Sequence, residues 1–106
     1  MKRKWRRYEL LLPSRSNDGG AVPKAWLVDA ADEIMERFGA ASLERQKVEG
    51  RWLFQGKVYR DVSARVIVDI PDTLANRKWM RNFKAKWKKK LDQLEIWMIS
   101  YRIKLE

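Results

Sequence analysis

Residues 57–70 read KVYRDVSARVIVDI and carry the clearest strand pattern in the chain. Small or apolar side chains recur at nearly every second position and alternate with larger or charged residues such as Arg65 and Asp69. A period of two is typical of a strand that buries one face. Residues 42–55 alternate in the same way, and Gly56 separates the two runs. The sequence therefore predicts a β-hairpin with its turn at Gly56.

Helical and strand patterns flank this hairpin on both sides. Pro23 suits the first position of a helix, Gly39 suits a left-handed cap at its end, and residues 71–73 (PDT) supply a break and a capping residue for a second helix. In chain order, the flanking segments are a strand over residues 4–12, a loop over 13–20, a helix over 23–38, a helix over 73–94 and a strand over 95–105.

The order β-α-β-β-α-β predicts a single α+β domain over residues 1–106, of the ferredoxin-like type. Residues 1–3 are compatible with a flexible basic extension. Right-handed crossovers place both helices on one face of a four-stranded antiparallel sheet with strand order 4-1-3-2. The sheet face beneath the helices is expected to be built from Tyr8, Leu10, Leu12, Trp52, Phe54, Val66, Val68, Trp97 and Ile99.

The opposite sheet face is expected to be bare, with a mixture of aromatic, apolar and basic side chains. An apolar patch of this kind favours self-association as a homodimer; stacking of nucleic-acid bases and a neutral mixed face are the alternatives. Candidate stacking or interface residues are Trp5, Tyr59 and, on the second helix, Trp79. The predicted members of this face are Trp5, Arg7, Leu11, Arg45, Lys47, Arg51, Leu53, Tyr59, Arg65, Ile67, Met98 and Arg102.

Composition excludes several classes of enzyme. The chain has no Cys and no His, so it has no thiol nucleophile, no Cys/His zinc site and no Ser-His-Asp triad. Asp69, Asp72 and Glu9 could be imagined as magnesium ligands, but a helix cap at Asp72 and an ion pair at Asp69 explain these carboxylates better. The sequence therefore predicts a non-enzymatic protein with no cofactor and no metal.

The positive charge is concentrated in two segments. The chain carries 24 Lys and Arg against 14 Asp and Glu, a net charge of +10. The second helix and the basic N-terminus predict contact with a polyanion, most simply the phosphates of a nucleic acid of unknown type. Solubilising charge and docking of an acidic protein partner are the alternatives. The candidate phosphate-binding residues are Lys78, Arg81, Lys86, Lys88 and Lys89, with Arg77 and Lys84 beside them and Lys2, Arg3, Lys4 and Arg6 at the N-terminus.

No apolar run is long enough for a signal peptide or a membrane span, so we expect a soluble cytoplasmic protein without membrane contact. Several short motifs, given at the end of this paragraph, cover nearly the whole chain. Together they resemble a group of small bacterial proteins of βαββαβ type, and that resemblance implies no established activity. The motifs are residues 8–13 (YELLLP), 17–19 (NDG), 36–39 (ERFG), 58–61 (VYRD), 68–73 (VDIPDT), 76–77 (NR) and 94–97 (LEIW).

Overall fold

The computed structural model describes residues 3–15 and 20–106, and for residues 45–47 and 61 it describes the backbone alone. The predicted loop over 13–20 therefore lies partly outside the described residues. The sheet has the strand order β2-β3-β1-β4, and each neighbouring pair is antiparallel. The elements are β1 (Trp5–Pro13), α1 (Lys24–Phe38), β2 (Ser42–Phe54), β3 (Lys57–Pro71), α2 (Leu74–Lys90) and β4 (Met98–Ile103).

The core lies between one face of the sheet and the two helices. Tyr8 pairs with Val68 and Leu10 pairs with Val66, so these four side chains share the helix-facing side of β1 and β3. All of them are buried, as the alternation in both strands predicts. The helices add a set of buried side chains that completes the core: Ala30, Ala31, Ile34, Met80, Phe83, Trp87 and, just after α2, Leu91.

The helix ends follow from local sequence. Gly39 adopts a φ of 92°, and its N–H donates to the carbonyl of Met35 at 2.7 Å, which closes α1 in the left-handed conformation that glycine tolerates. At the start of α2, the side chain of Thr73 accepts a hydrogen bond from the N–H of Asn76 at 3.1 Å. The cap predicted at Gly39 is therefore confirmed. The helix cap predicted at Asp72 is wrong, because Thr73 caps α2 and the Asp72 carboxylate accepts from arginine side chains instead.

The β2–β3 hairpin is longer than the sheet that it joins. β1 ends where Pro13 pairs with Ser63, whereas β2 and β3 continue together to the pair of Phe54 with Lys57. We call this two-stranded extension, residues 48–63, the ribbon. Its turn uses two residues with positive φ, Gln55 at 49° and Gly56 at 75°, a geometry that matches the twist of a tight hairpin.

The ribbon corrects the predicted positions of Trp52 and Phe54. Both were expected beneath the helices, but they lie on the ribbon, where Trp52 pairs with Tyr59 and Phe54 is exposed. The reason is strand length: residues this far along β2 have passed the end of β1, so no helix covers them. Trp52 and Phe54 do lie on one side of the strand, as the alternation predicts, but the helices do not bury that side.

The second helix and the last strand are both shorter than predicted. α2 ends at Lys90, and Asp92 adopts a φ of 50°, so residues 91–97 form a connection that is pinned by buried Leu91 and Ile96. The strand then begins at Met98 rather than Glu95. The sequence carries no glycine at this join, which is why the boundary was misplaced.

The predicted faces of β4 are also reversed. Ile99 pairs with Glu9, and Tyr101 pairs with Arg7, so these two β4 residues lie on the side away from the helices. Trp97 lies on that same side, because its carbonyl accepts from the N–H of Leu11. Met98 and Arg102, predicted for the bare face, are therefore on the helix side. An alternating apolar run at a sheet edge does not reveal which side it covers.

These differences make the prediction of a plain ferredoxin-like sheet wrong. The projecting ribbon and the six-residue β4 give the domain an elongated outline, with principal extents of 49 × 29 × 24 Å. Across residues 3–15 and 20–106, neither helix has the length and apolarity needed to cross a bilayer.

A truncation in the core tests this packing. Met80 is fully buried between α2 and the sheet, so Met80→Ala should lower the free energy of unfolding by about 2–5 kcal/mol. Leu74 lies on the same helix but is 82% exposed, so Leu74→Ala should change it by only about 0.5 kcal/mol or less. Urea unfolding monitored by circular dichroism measures both. Equal losses in the two variants would contradict the assigned helix face.

Candidate functional site

The cations of α2 are in part paired with carboxylates, so only some of the predicted ridge is left unpaired. Lys84 and Lys88 approach the carboxylate of Glu95 at 3.0 and 4.0 Å, and Lys86 pairs with Glu33 of α1. The contact with Lys84 holds the pKa of Glu95 below its usual value. Within the part of the chain that the structure describes, Lys78, Arg81, Lys89 and Lys4 have no ion pair.

The three aromatic candidates have different surroundings. Trp79 packs between Phe38, at a centroid distance of 5.1 Å, and Phe83, at 5.4 Å, so it completes the core rather than a surface platform. Trp5 is half-buried, with the guanidinium of Arg3 at 6.0 Å from its ring centroid. Tyr59 stacks on Trp52 at 4.6 Å on the ribbon.

Two of the predicted phosphate-binding residues, Arg6 and Arg77, instead surround one carboxylate. Arg77 donates to both oxygens of Asp72 at 2.7 and 2.8 Å, and Arg6 donates to Oδ1 at 3.1 Å. Arg102 of β4 donates to Oδ2 at 3.1 Å. We call these four residues the Asp72 cluster. The Asp72 side chain is fully buried, and the hydrogen bonds from Arg77 and then from Arg6 and Arg102 hold its pKa well below 3.8.

The side of the sheet away from the helices carries its own ion-pair network. Arg7 donates to both carboxylate oxygens of Asp69 at 2.8 and 3.0 Å, and Arg65 lies 3.9 Å from Glu9. The hydroxyl of Tyr101 donates to Glu9 at 2.5 Å, which raises the pKa of that phenol. We call this side the open face. Its members are Trp5, Arg7, Glu9, Leu11, Ser42, Glu44, Ser63, Arg65, Ile67, Asp69, Trp97, Ile99, Tyr101 and Ile103.

A concave recess of about 590 Å³ lies where the open face meets the ribbon. Leu11 forms part of its floor, the ribbon supplies Trp52 and Phe54, and the segment before β4 supplies Trp97. This volume is in the range of small-molecule sites. Sequence reasoning missed the recess, because the residues that line it come from four separate segments. Its remaining lining residues are Pro13, Val48, Gly50, Arg51, Ser63, Gln93, Leu94 and Glu95.

Three of the residues predicted for the basic N-terminus or the bare sheet face lie wholly or in part outside the described residues. Lys2 is outside the described residues, as are the side chains of Arg45 and Lys47. Among the described residues, no group of three or more Asp and Glu side chains is placed to hold a metal ion.

The chain matches no protein-family model and no curated protein. Solved structures with the same fold do exist. A phage SAM lyase in complex with S-methyl-5'-thioadenosine aligns with a TM-score of 0.68 at 12% identity, over 99% of this chain and 93% of that one. The divalent cation tolerance protein CutA1 of Thermus thermophilus aligns with a TM-score of 0.66 at 12% identity, over 96% and 86%. CutA1 of Ehrlichia chaffeensis aligns with a TM-score of 0.61 at 6% identity, over 100% and 87%.

The chain has the small α+β fold of CutA1. This fold class replaces the ferredoxin-like one. It is shared by an enzyme, the SAM lyase, and by proteins whose names state no reaction, so the fold is compatible with both kinds of protein.

The prediction of a nucleic-acid partner is corrected by the same findings. The similar structures are named as cation tolerance proteins and a SAM lyase, and none of these names mentions a nucleic acid. The proposed surface is also partly neutralised, since Arg6, Arg77, Lys84, Lys86 and Lys88 all pair with carboxylates. Docking of an acidic protein partner stays a prediction.

The homodimer prediction is corrected as well. It assumed an open face that included Met98 and Arg102, but these two residues lie on the helix side, and β4 presents Ile99 and Tyr101 to the open face in their place. The prediction placed residues 48–63 within the four-stranded sheet. They instead form the ribbon, which projects past the end of β1 and offers a surface of its own.

The Asp72 cluster predicts a specific dependence of stability on pH. Because the pKa of Asp72 is lowered in the folded chain, its contribution is complete above the ordinary value of 3.8 and is lost as pH falls below that value. Asp72→Asn should therefore be less stable than the wild type at pH 7, and the gap should narrow toward pH 2. Urea midpoints across this range measure it, with Asp29→Asn, at an exposed position on α1, as the control. A gap that stays constant down to pH 2 would contradict this account.

Proposed function

We propose that this protein is a self-associating subunit, and that its open face and ribbon dock on neighbouring copies of the same chain. The observation that carries the proposal is the exposure of large apolar side chains along β4 and at Trp97, the residue before it. Trp97 is 63% exposed, Tyr101 42% and Ile99 40%. Contiguous apolar exposure of this kind is typical of an interaction surface.

The distribution of charge favours a second copy as the occupant. Two chains of net charge +10 repel each other unless their contact surfaces are locally balanced. The open face is balanced, because Arg7 pairs with Asp69, while Arg65 lies between Glu9 and Glu44. In contrast, α2 faces solvent with an excess of lysine. Copies can therefore approach through the open face while their cationic helices point outward.

The position of the ribbon favours an assembly in which two different surfaces meet. The ribbon runs past the end of β1, at one end of the open face, whereas Tyr101 and Ile103 lie toward the other end. A contact between the ribbon of one copy and the open face of the next joins two different surfaces. Such a contact closes into a ring or continues as a filament. We propose an assembly of three or more chains joined by this contact.

A charge placed on the open face tests the assembly. Trp97→Glu introduces a carboxylate at a 63% exposed apolar position of the open face, so we expect it to convert the wild-type oligomer into a monomer. Leu74→Glu makes the same kind of change on exposed α2 and should leave the oligomer intact. Sedimentation velocity measures all three proteins. A monomeric wild type, or equal dissociation by both variants, would refute the proposal.

A second candidate function is the binding of a small aromatic ligand in the recess. The ligand that we propose is the nucleoside thioether S-methyl-5'-thioadenosine. The recess has an apolar, aromatic lining, and the similar phage SAM lyase is described in complex with that molecule. Trp52, Phe54 and Trp97 offer ring faces on which a purine could stack.

Calorimetric titration with S-methyl-5'-thioadenosine tests the second candidate. Phe54 lines the recess and Leu53, its neighbour on β2, does not. Loss of one stacking ring in Phe54→Ala should weaken binding about three- to tenfold. Leu53→Ala should bind as the wild type does. No saturable heat with the wild type, or equal weakening in both variants, would reject a ligand at this recess.

A further inference from the structure

The Asp72 cluster holds more positive charge than its carboxylate can balance. Arg6, Arg77 and Arg102 all donate to the single carboxylate of Asp72. With three guanidinium groups and one carboxylate, the local charge is 3 − 1 = +2. Within residues 3–15 and 20–106, no other carboxylate pairs with any of the three arginines.

This excess leaves a repulsion between the cations of the cluster. Arg6 and Arg102 are directly opposite each other in the β1–β4 register, and like charges at such positions repel. A buried carboxylate needs a partner, but the bidentate contact with Arg77 already supplies one. The two further arginines add repulsion in a chain that already carries a net charge of +10. An anion bound at the cluster would remove that repulsion.

The three guanidinium groups are also held in place before any ligand arrives. Arginine normally loses rotamer freedom when it binds an anion, but here Asp72 fixes all three side chains, and Arg6 also donates to the hydroxyl of Ser100 at 3.1 Å. Arg77 and Arg102 nevertheless remain 36% and 54% exposed, so they can reach a solute. Each guanidinium has five N–H donors in a rigid fork.

The surroundings of the cluster favour a compact anion with a double charge. Asp72 immediately precedes Thr73, the cap of a 17-residue helix, whose N-terminal dipole attracts negative charge. The Asp72 N–H donates to the carbonyl of Lys4, which places this basic segment beside the cluster. Arginine forks match the tetrahedral oxygens of phosphate in a way that single ammonium groups do not.

We propose that Arg77 and Arg102, with Arg6 behind them, form a binding site for a phosphate dianion, either inorganic phosphate or the phosphate group of a small monoester. The site lies between the start of α2 and the β1–β4 edge of the sheet, on the opposite side of the sheet from the open face. It is therefore independent of the proposed self-association and of the recess.

Calorimetric titration at low ionic strength tests the site, with inorganic phosphate and phenyl phosphate as the probes. Binding of both indicates that the phosphate group is sufficient, whereas binding of phenyl phosphate alone indicates a monoester site. Arg102→Gln removes one exposed donor and should weaken binding about tenfold or more. Arg81→Gln removes the same charge from exposed α2 and is the matched control.

Thermal unfolding gives a second readout for the same variants. Phosphate should raise the unfolding temperature of the wild type and of Arg81→Gln, but much less that of Arg102→Gln, whereas chloride at the same ionic strength should not. Circular dichroism verifies that each variant folds. Equal weakening by the two substitutions would show a diffuse cationic field instead of a site, and absence of saturable binding to the wild type would overturn the proposal.

Discussion

The antiparallel pairing of β1 with β3 is the constraint on which the rest of the molecule depends. Its register places Tyr8, Leu10 and Leu12 on one side together with Val66, Val68 and Ile70, and every one of these side chains is buried. The helices pack there because this side offers them a continuous apolar layer. The same register places Arg7 beside Asp69 on the opposite side and leaves the open face uncovered. Core and candidate interface are thus two consequences of one alternation.

Elements with strong local signals could be predicted from the sequence. Pro23 and Gly39 bracket α1, a break and a cap within residues 71–73 precede α2, and Gly56 lies in the hairpin turn, because each of these signals acts through its own backbone or its nearest neighbours. The positions of Trp52, Phe54 and Ile99 could not be predicted in the same way. Their burial depends on how far β1 extends and on which side β4 presents, and both are set by contacts between distant segments.

The candidate sites, too, could be predicted only as far as local sequence determines them. Counting charges identified an excess of lysine and arginine, but not the carboxylates that would meet it. Glu95 reaches Lys84 only because residues 91–97 turn back after α2, and Asp72 collects arginines from three separate elements. The recess is even harder to predict from local sequence patterns, because Leu11, Trp52 and Trp97 are far apart in the chain. Composition gave the total charge, and tertiary structure decided where it remains unbalanced.

The ribbon has a consequence for how this protein can diverge. Since side chains alternate along each strand, adding two residues to both β2 and β3 beyond the end of β1 would lengthen the arm and return every later side chain to its original side. Adding one residue to each strand would instead turn the stacked pair of Trp52 and Tyr59 to the other side. Insertions and deletions in the ribbon should therefore be tolerated when they add or remove two residues in each strand. The length of the ribbon can then evolve while the domain beneath it stays unchanged.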